Sequence, residues 1–563
     1  MTAEVIPPVA PIMRLEGGMH TNMIRGIASN SSGNFLATVS LDKTIRLWSG
    51  ANGELLQVLR IPINQGRDGK LFAVAVSPNG ETIAVGGLTG LDWDNYISVY
   101  FFNKSSGAMI GRIPNLPSVI NHLAFSMDGR FLAIVLSKKQ GLRIYNVQNG
   151  QLVGQDKEYA ADSFWVDFDS YGRVVTACDD GYVRLYDPKF QLITKQKLVE
   201  TKRPYSVAFS PNGDKIIVGF RGPPLVTVVD GQNLSILYQP DLTDARGSLR
   251  VVAWSKDGKS IYASGDLRNN NWHLMRWWSN EGKLNEQQKS EYIDLPISTN
   301  TVMQLLPLLD GGIAYVATDP AVGKLDSQGY RLFHKTSPTV SFKDIAPFLK
   351  ISSDGSVVQF SYAAKGQQPA FFDVNSMTLL KGSPGSEKLL APITERPNFV
   401  ITGWNSKTEP MQLNGKTIKL NKNEVPYSLA IDPQGRFFVL GTNFFLRLLT
   451  LQGEEHWRIP IPGSVFGINI TENGRFIVAA LSNGTIRWYL SGMGREVLAF
   501  FPHNDQRNWV LWNQNRLFSA SPGAEEMLGW HFNQGNAKEA KFIPAAQFGV
   551  KYNRPDILRR TFK

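Results

Sequence analysis

The chain has 563 residues, 42% of them hydrophobic and 11% aromatic, which is too long for one ordinary core and points to two domains. Its 59 Lys and Arg against 48 Asp and Glu leave a net +11, an excess that favours acidic partners in general and does not by itself mean nucleic acid. No window approaches a membrane span, and a single cysteine, Cys178, excludes an internal disulfide.

In chain order, the opening "MTAEVIPPVAPIMRLEGG" has neither a basic n-region nor an apolar h-region, so a cytoplasmic protein is expected. Repetition follows. Segments of sixteen residues align without gaps from Ile24, Leu71, Ile120, Pro204, Leu249, Pro426 and Val465, as in "LFAVAVSPNGETIAVG" and "PYSVAFSPNGDKIIVG". Each reads as two apolar-alternating strands around a turn ending in Gly, which is a hairpin. Turn glycines recur from Gly33 through Gly80, Gly129, Gly172, Gly213, Gly258, Gly311, Gly355 and Gly435 to Gly474. Between Gly355 and Gly435 one repeat is eroded around "PNFVITGW". Third strands such as "KTIRLW" and "GTIRWY" follow many hairpins. Four strands per period of ~40–45 residues make the blade of a β-propeller. The expected fold is therefore all-β, two tandem propellers of about seven blades each. The first spans residues 1–335 and the second 336–563, which ends in a basic tail from Lys538 onward. The second shows only about five repeats, so a strand from a terminus, such as "APIMRLEG", is expected to help complete it.

The blades resemble WD repeats. In that family a His before the first strand, a Ser or Thr in the second, an Asp in the following turn and a Trp in the third are hydrogen-bonded in series. His20, Thr38, Asp42 and Trp48 stand at those spacings, which implies a structural role for all four. A carboxylate held by such donors fixes a turn and does not meet a substrate. The fourth blade keeps Thr176 and Asp180, with Tyr186 in place of Trp and Asp162 near the His position. Cys178 falls at a strand end and reads as a buried structural thiol.

Over nearly the whole chain the sequence is similar to bacterial WD-repeat regions attached to caspase-like peptidases. "GRDGKLFAVAVSPNGETIAVGGLTGLDWD", "LPSVINHLAFSMDGRFLA" and, most specifically, "FFPHNDQRNWVLWNQNRLFSASPGAEEMLGWHFNQG" carry the resemblance. Ala524, where a second Gly is usual, departs from that pattern. A caspase-like unit needs a His and a Cys nucleophile in an α/β fold, and this sequence has none. The resemblance thus implies the regulatory or scaffolding half of such a system, with any peptidase on another chain.

Other chemistry is not displayed. Gly258-Lys259-Ser260 and Gly415-Lys416-Thr417 look like the end of a phosphate loop, but Ala253 and Pro410 occupy the required first glycine. The seven histidines have no pair at zinc-ligand spacing. No catalytic, cofactor-binding or metal-binding residues are assigned. Three long loops, "GGLTGLDWDN", "GFRGPPLV" and "GDLRNNNWHLMRW", offer Trp93, Arg221, Arg268, Trp272 and His273 as partner-binding candidates. The favoured function is a non-catalytic, cytoplasmic scaffold for protein–protein interactions. The alternative is a nucleic-acid or anionic-ligand binder using the basic second half, where Tyr552 and Phe562 stand among the basic residues. A propeller enzyme ranks third.

If Asp42 belongs to the frame, Asp42→Ala should cost ~1–3 kcal/mol of stability, the penalty for orphaned buried donors. Unchanged melting with loss of a measurable turnover would reverse the assignment.

Overall fold

Strands that must bury both faces against neighbours cannot stand alone, and the first part of this chain solves that by ring closure. The computed structural model describes residues 6–283, 290–385, 388–406, 409–421 and 424–563. Helix among them is confined to segments of three or four residues, none able to cross a membrane. The fold is that of two tandem WD-repeat-like β-propellers.

One unit comprises Asn22–Ser337 with Met1–Pro11 and Phe532–Lys541. It contains seven antiparallel sheets, over residues 24–60, 70–116, 120–156, 163–196, 203–238, 251–298 and 302–335. The first strand of each sheet contacts the first strand of the next, and Val302–Pro307 of the seventh returns to Ile24–Ser29 of the first. At that closure the buried Ile27 amide donates to Gln304 Oε1 at 2.9 Å. The almost fully buried Lys324 ammonium donates to the Gly50 carbonyl at 3.0 Å and to Asp310 at 2.6 Å.

Burial grades outward. The second strands are the most buried: Phe35–Ser40 is buried at every residue and the others along nearly all of their length, because blades pack on both faces. The fourth strands, for example Leu192–Gln196, are largely exposed. The anticipated turn glycines all have positive φ, from 68° at Gly33 to 84° at Gly172 and Gly355. A shared device fixes many of the hairpins: Ser77 Oγ donates to Asn79 at 2.6 Å and accepts the Thr82 amide at 2.9 Å, and Ser126, Ser210, Ser255, Ser352 and Thr471 repeat it.

The other unit comprises Pro338–His531 with Ile12–Thr21 and Phe542–Lys563. The main division between the units lies at Ser337–Pro338, and segments from both termini cross it. Ile12–Leu15 pairs antiparallel with Leu528–Phe532, so the "APIMRLEG" strand completes a sheet of the second unit. This unit has five sheets among the described residues, fewer than the seven expected. Two causes are visible. The eroded repeat forms only two-residue strands at Ile401–Thr402, Gln412–Leu413 and Lys416–Thr417, and strands Trp509–Trp512 and Phe518–Ala520 extend the sheet begun at Val465 to six strands. The basic tail is not free. Leu558 is fully buried, and Phe562 packs edge-on against Phe476 and Trp488.

Replacing Gln304 by Leu keeps the volume but orphans the Ile27 amide. We expect a loss of ~1–3 kcal/mol in urea unfolding of the full chain, and an unchanged midpoint would show that the ring closes without this acceptor.

Candidate functional site

The residues of the first blade behave as frame. Trp48 Nε1 donates to Thr38 Oγ1 at 2.7 Å, and Asp42 Oδ1 accepts the Thr44 amide and hydroxyl at 2.9 and 2.6 Å. His20 is fully buried and lies in the Ile12–Thr21 segment grouped with the second unit. In the fourth blade the place expected for Asp162 is taken by Tyr159, whose hydroxyl meets Thr176 and Tyr186 at 2.8 Å each. Asp162 instead caps the Lys138 amide at 2.6 Å. A phenol fills this role because it can donate to one hydroxyl and accept from another. Cys178 is fully buried, and burial pushes its thiol pKa up to about 12.

The five loop candidates separate into three groups. Trp93 is not an exposed anchor. It is only 9% accessible and its indole donates to the fully buried Asp68 at 3.2 Å. Asp68 also accepts the Asn64 and Gly90 amides, and burial raises its pKa. A buried carboxylate in need of donors explains why the tryptophan folds inward. Arg221 is exposed, 3.3 Å from Asp179 and over the Phe164 ring at 5.1 Å. Arg268, Trp272 and His273 share a small hairpin in which Arg268 pairs with His273 and Asn269 with Trp272. Trp272 is 40% exposed with Arg331 over its ring at 5.7 Å, and His273 Nδ1 lies 3.2 Å from the Gly265 carbonyl.

The remaining motifs are structural in their contacts. Gly258 closes a Ser255 turn, and Lys416–Thr417 pairs in a short strand. Tyr552 packs on Trp530 at 5.1 Å and Phe562 on Phe476 at 5.2 Å, so both aromatics singled out in the tail have a ring partner within the protein. Among the described residues no three His, Cys, Asp or Glu side chains are grouped to hold a metal. The Ser-Pro-Gly turn of the second unit borders a cleft of about 340 Å³ lined by Pro522, Glu525 and Asn553.

Sequence reasoning missed a second feature. In six blades of the first unit the pairing of the inner strand slips by one residue, skipping Arg25, Phe72, Asn121, Phe164, Tyr205 and Met303. Such a bulge re-aims the unpaired residue. In the aligned repeats the sixth blade has Arg250 at this position. These side chains meet one another across blades: Arg25 over Phe72 at 5.2 Å, Phe164 against Tyr205 at 5.1 Å, Arg250 over Tyr205 at 5.1 Å, and Arg250 to Met303 Sδ at 3.3 Å. The second position of every aligned segment was the available signal. One residue further on, His122 stacks on Trp165 at 4.0 Å. Its ring nitrogens lack a well-formed hydrogen bond, and burial pushes its pKa down to about 3.

Fold and geometry together define a protein of WD-repeat-like propeller blades. Residues 11–49 match the WD domain, G-beta repeat family. The chain is similar to eukaryotic translation initiation factor 3 subunit I of Aspergillus fumigatus, 26% identical over 189 residues that cover 30% of this chain and 51% of the relative. The Aspergillus terreus counterpart is 32% identical over 122 residues, 22% of this chain and 32% of the relative. Telomerase protein component 1 of Rattus norvegicus is 25% identical over 210 residues, 36% of this chain and 7% of the relative. The chain thus spans about half the length of the initiation-factor relatives it matches.

The buried imidazole gives a pH test. The unfolded chain takes up a proton near the ordinary histidine value of 6.5, which the folded His122 refuses down to about 3. Stability therefore falls as pH drops through that window. His122→Phe, which keeps a ring on Trp165, should gain melting temperature relative to the parent as pH is lowered from neutral towards 4; parallel curves would mean the folded imidazole is charged.

Proposed function

We propose that this chain is a non-catalytic scaffold or regulatory protein that docks a protein partner within a multiprotein assembly. The docking surface is the loop face of the first unit that carries Arg221, Arg268, Trp272 and His273. The observation that carries this reading is the half-exposed Trp272 indole, an anchor-type side chain set on a short hairpin of a rigid blade. Two named relatives are a factor's subunit and a telomerase component, both parts of assemblies by their names. The resemblance carried by residues 500–535 makes a separately encoded caspase-like peptidase in a bacterial cytoplasm the first partner to test. The rival reading, an anionic polymer held by the basic second half, has less support because Tyr552 and Phe562 are packed against other rings of the protein.

The test is affinity purification of the full chain from its native cell, followed by quantitative binding to the recovered protein. Trp272→Ala and Arg268→Ala should each weaken the complex by ~2 kcal/mol while melting stays nearly constant. A complex that survives both and is lost with Arg559→Gln and Arg560→Gln would move the site to the second unit.

A further inference from the structure

The bulge-position ring of the first unit contains cations without counter-charges. Arg25 and Arg250 stand at this position in the first and sixth blades, and Arg221 ends the strand Lys215–Arg221 of the fifth. Arg250 and Arg221 lie over the Tyr205 ring at 5.1 and 6.0 Å, and the charge of Arg25 acts with theirs to lower the Tyr205 pKa. The first and fifth blades are not neighbours, so the charge of Arg25 reaches Tyr205 from another part of the ring. Arg221 has a carboxylate at hand, Asp179, which it shares with Arg203. Arg25 and Arg250 belong to no ion pair among the described residues, and the Nε of each is buried with no acceptor.

A buried guanidinium N–H without an acceptor is costly, and proteins ordinarily place a carboxylate beside it. Here the neighbours are Phe72, Phe164, Tyr205 and Met303, none of which carries charge. Arg25, Phe72, Phe164 and Arg250 are each only part-buried, so solvent reaches the ring. The local field is strongly positive. Burial alone would raise the Tyr205 pKa, yet the charges of Arg25, Arg250 and Arg221 outweigh it and lower the value.

We propose that this ring binds one compact oxyanion, a carboxylate or a phosphate, presented by an acidic peptide segment of a partner protein. Guanidinium groups recognise both anions through paired N–H donors. The arrangement favours a peptide over a nucleic acid. A polynucleotide needs cations in a row along its backbone, whereas these three converge on one phenol. The aromatic collar supplies apolar contact for the residues that flank the anion. The inference rests on the scaffold reading only in taking the partner to be a protein, and of the proposed docking residues it uses Arg221 alone.

The test is fluorescence anisotropy of the full chain with four labelled probes: hexaglutamate, hexaglutamine, a Gly-Ser peptide with one phosphoserine, and a twenty-residue thymidine strand. Hexaglutamate or the phosphopeptide should bind, the stronger of the two identifying the anion, and hexaglutamine should not. Arg25→Gln with Arg250→Gln should weaken that binding at least about tenfold, whereas Arg25→Lys with Arg250→Lys should keep part of it. Failure of both acidic peptides to bind, or binding unchanged in the Gln double variant, overturns the proposal, as does a preference for the thymidine strand. Should the double variant not fold, arginine footprinting of the unaltered chain with phenylglyoxal decides. The bound peptide should protect Arg25 and Arg250, and protection confined to other arginines overturns the site. Peptide binding that persists in the Trp272→Ala chain separates this site from the docking surface, so either reading can fail alone.

Discussion

Everything in the first unit depends on closing the ring. Blades whose second strands are buried along nearly their whole length have no stable existence at an open edge, because each supplies the cover for its neighbours. The seam between the seventh and first blades is accordingly built from buried polar groups with defined partners. Gln304 accepts the Ile27 amide, and Lys324 spans from the Gly50 carbonyl to Asp310. A desolvated ammonium tolerates burial only when its donors are satisfied, so Lys324 fixes the angle at which the last blade meets the first. Apolar packing alone would close a ring of this size with less definition.

The same economy governs the turns. Many hairpins spend a hydroxyl and an Asx side chain on their own backbone, as Ser77 and Asn79 do, and two blades replace the hydroxyl with a carboxylate, in the buried Asp169–Arg173 pair and in the pair of buried Asp432 with half-exposed Arg436. Polar residues that look like a catalytic supply in the sequence are therefore consumed as frame. Asp42, Thr38 and Tyr159 belong to that frame by their contacts. Chemistry available to a ligand must come from elsewhere.

This division explains what could be read from the sequence. Repeats, turn glycines and the all-β class were legible because each depends on local spacing: positive φ at Gly33 or Gly474 follows from the turn that the flanking strands require. The terminal strand was legible as a pattern, and its partner, Leu528–Phe532, as the closing segment of the resemblance. Trp93 was misread because its exposure depends on Asp68, which is 25 residues away in sequence and hidden beneath the loop. Tyr159 was passed over for Asp162 because three residues of strand offset decide which side chain points at Thr176. The second unit's blade count could not be read, since eroded hairpins and a strand added to an existing sheet leave no spacing signal.

The bulge positions show why variation between repeats carries information. Within an inner strand, residues such as Ile24, Ile120 and Val302 are fully buried, and the equivalent Ser163 of the fourth blade is buried with them. The skipped residue beside each of them is released from that constraint, so it can be Arg, Phe, Asn, Tyr or Met without disturbing the frame. A position that is free to vary in every blade, yet brought to one ring by closure, concentrates whatever recognition chemistry the chain has evolved. Asn121 spends its amide on Ser137 and on the Ser163 carbonyl of the next blade. Arg25 and Arg250 belong to no ion pair among the described residues and the Nε of each has no acceptor, so their aromatic neighbours leave the charge uncompensated. The overall excess of +11 is spread over a large surface and screened within about 10 Å. Two part-buried guanidinium groups set around one phenol are less exposed to that screening, which is why the proposed anion site is placed at this ring and not at the basic tail.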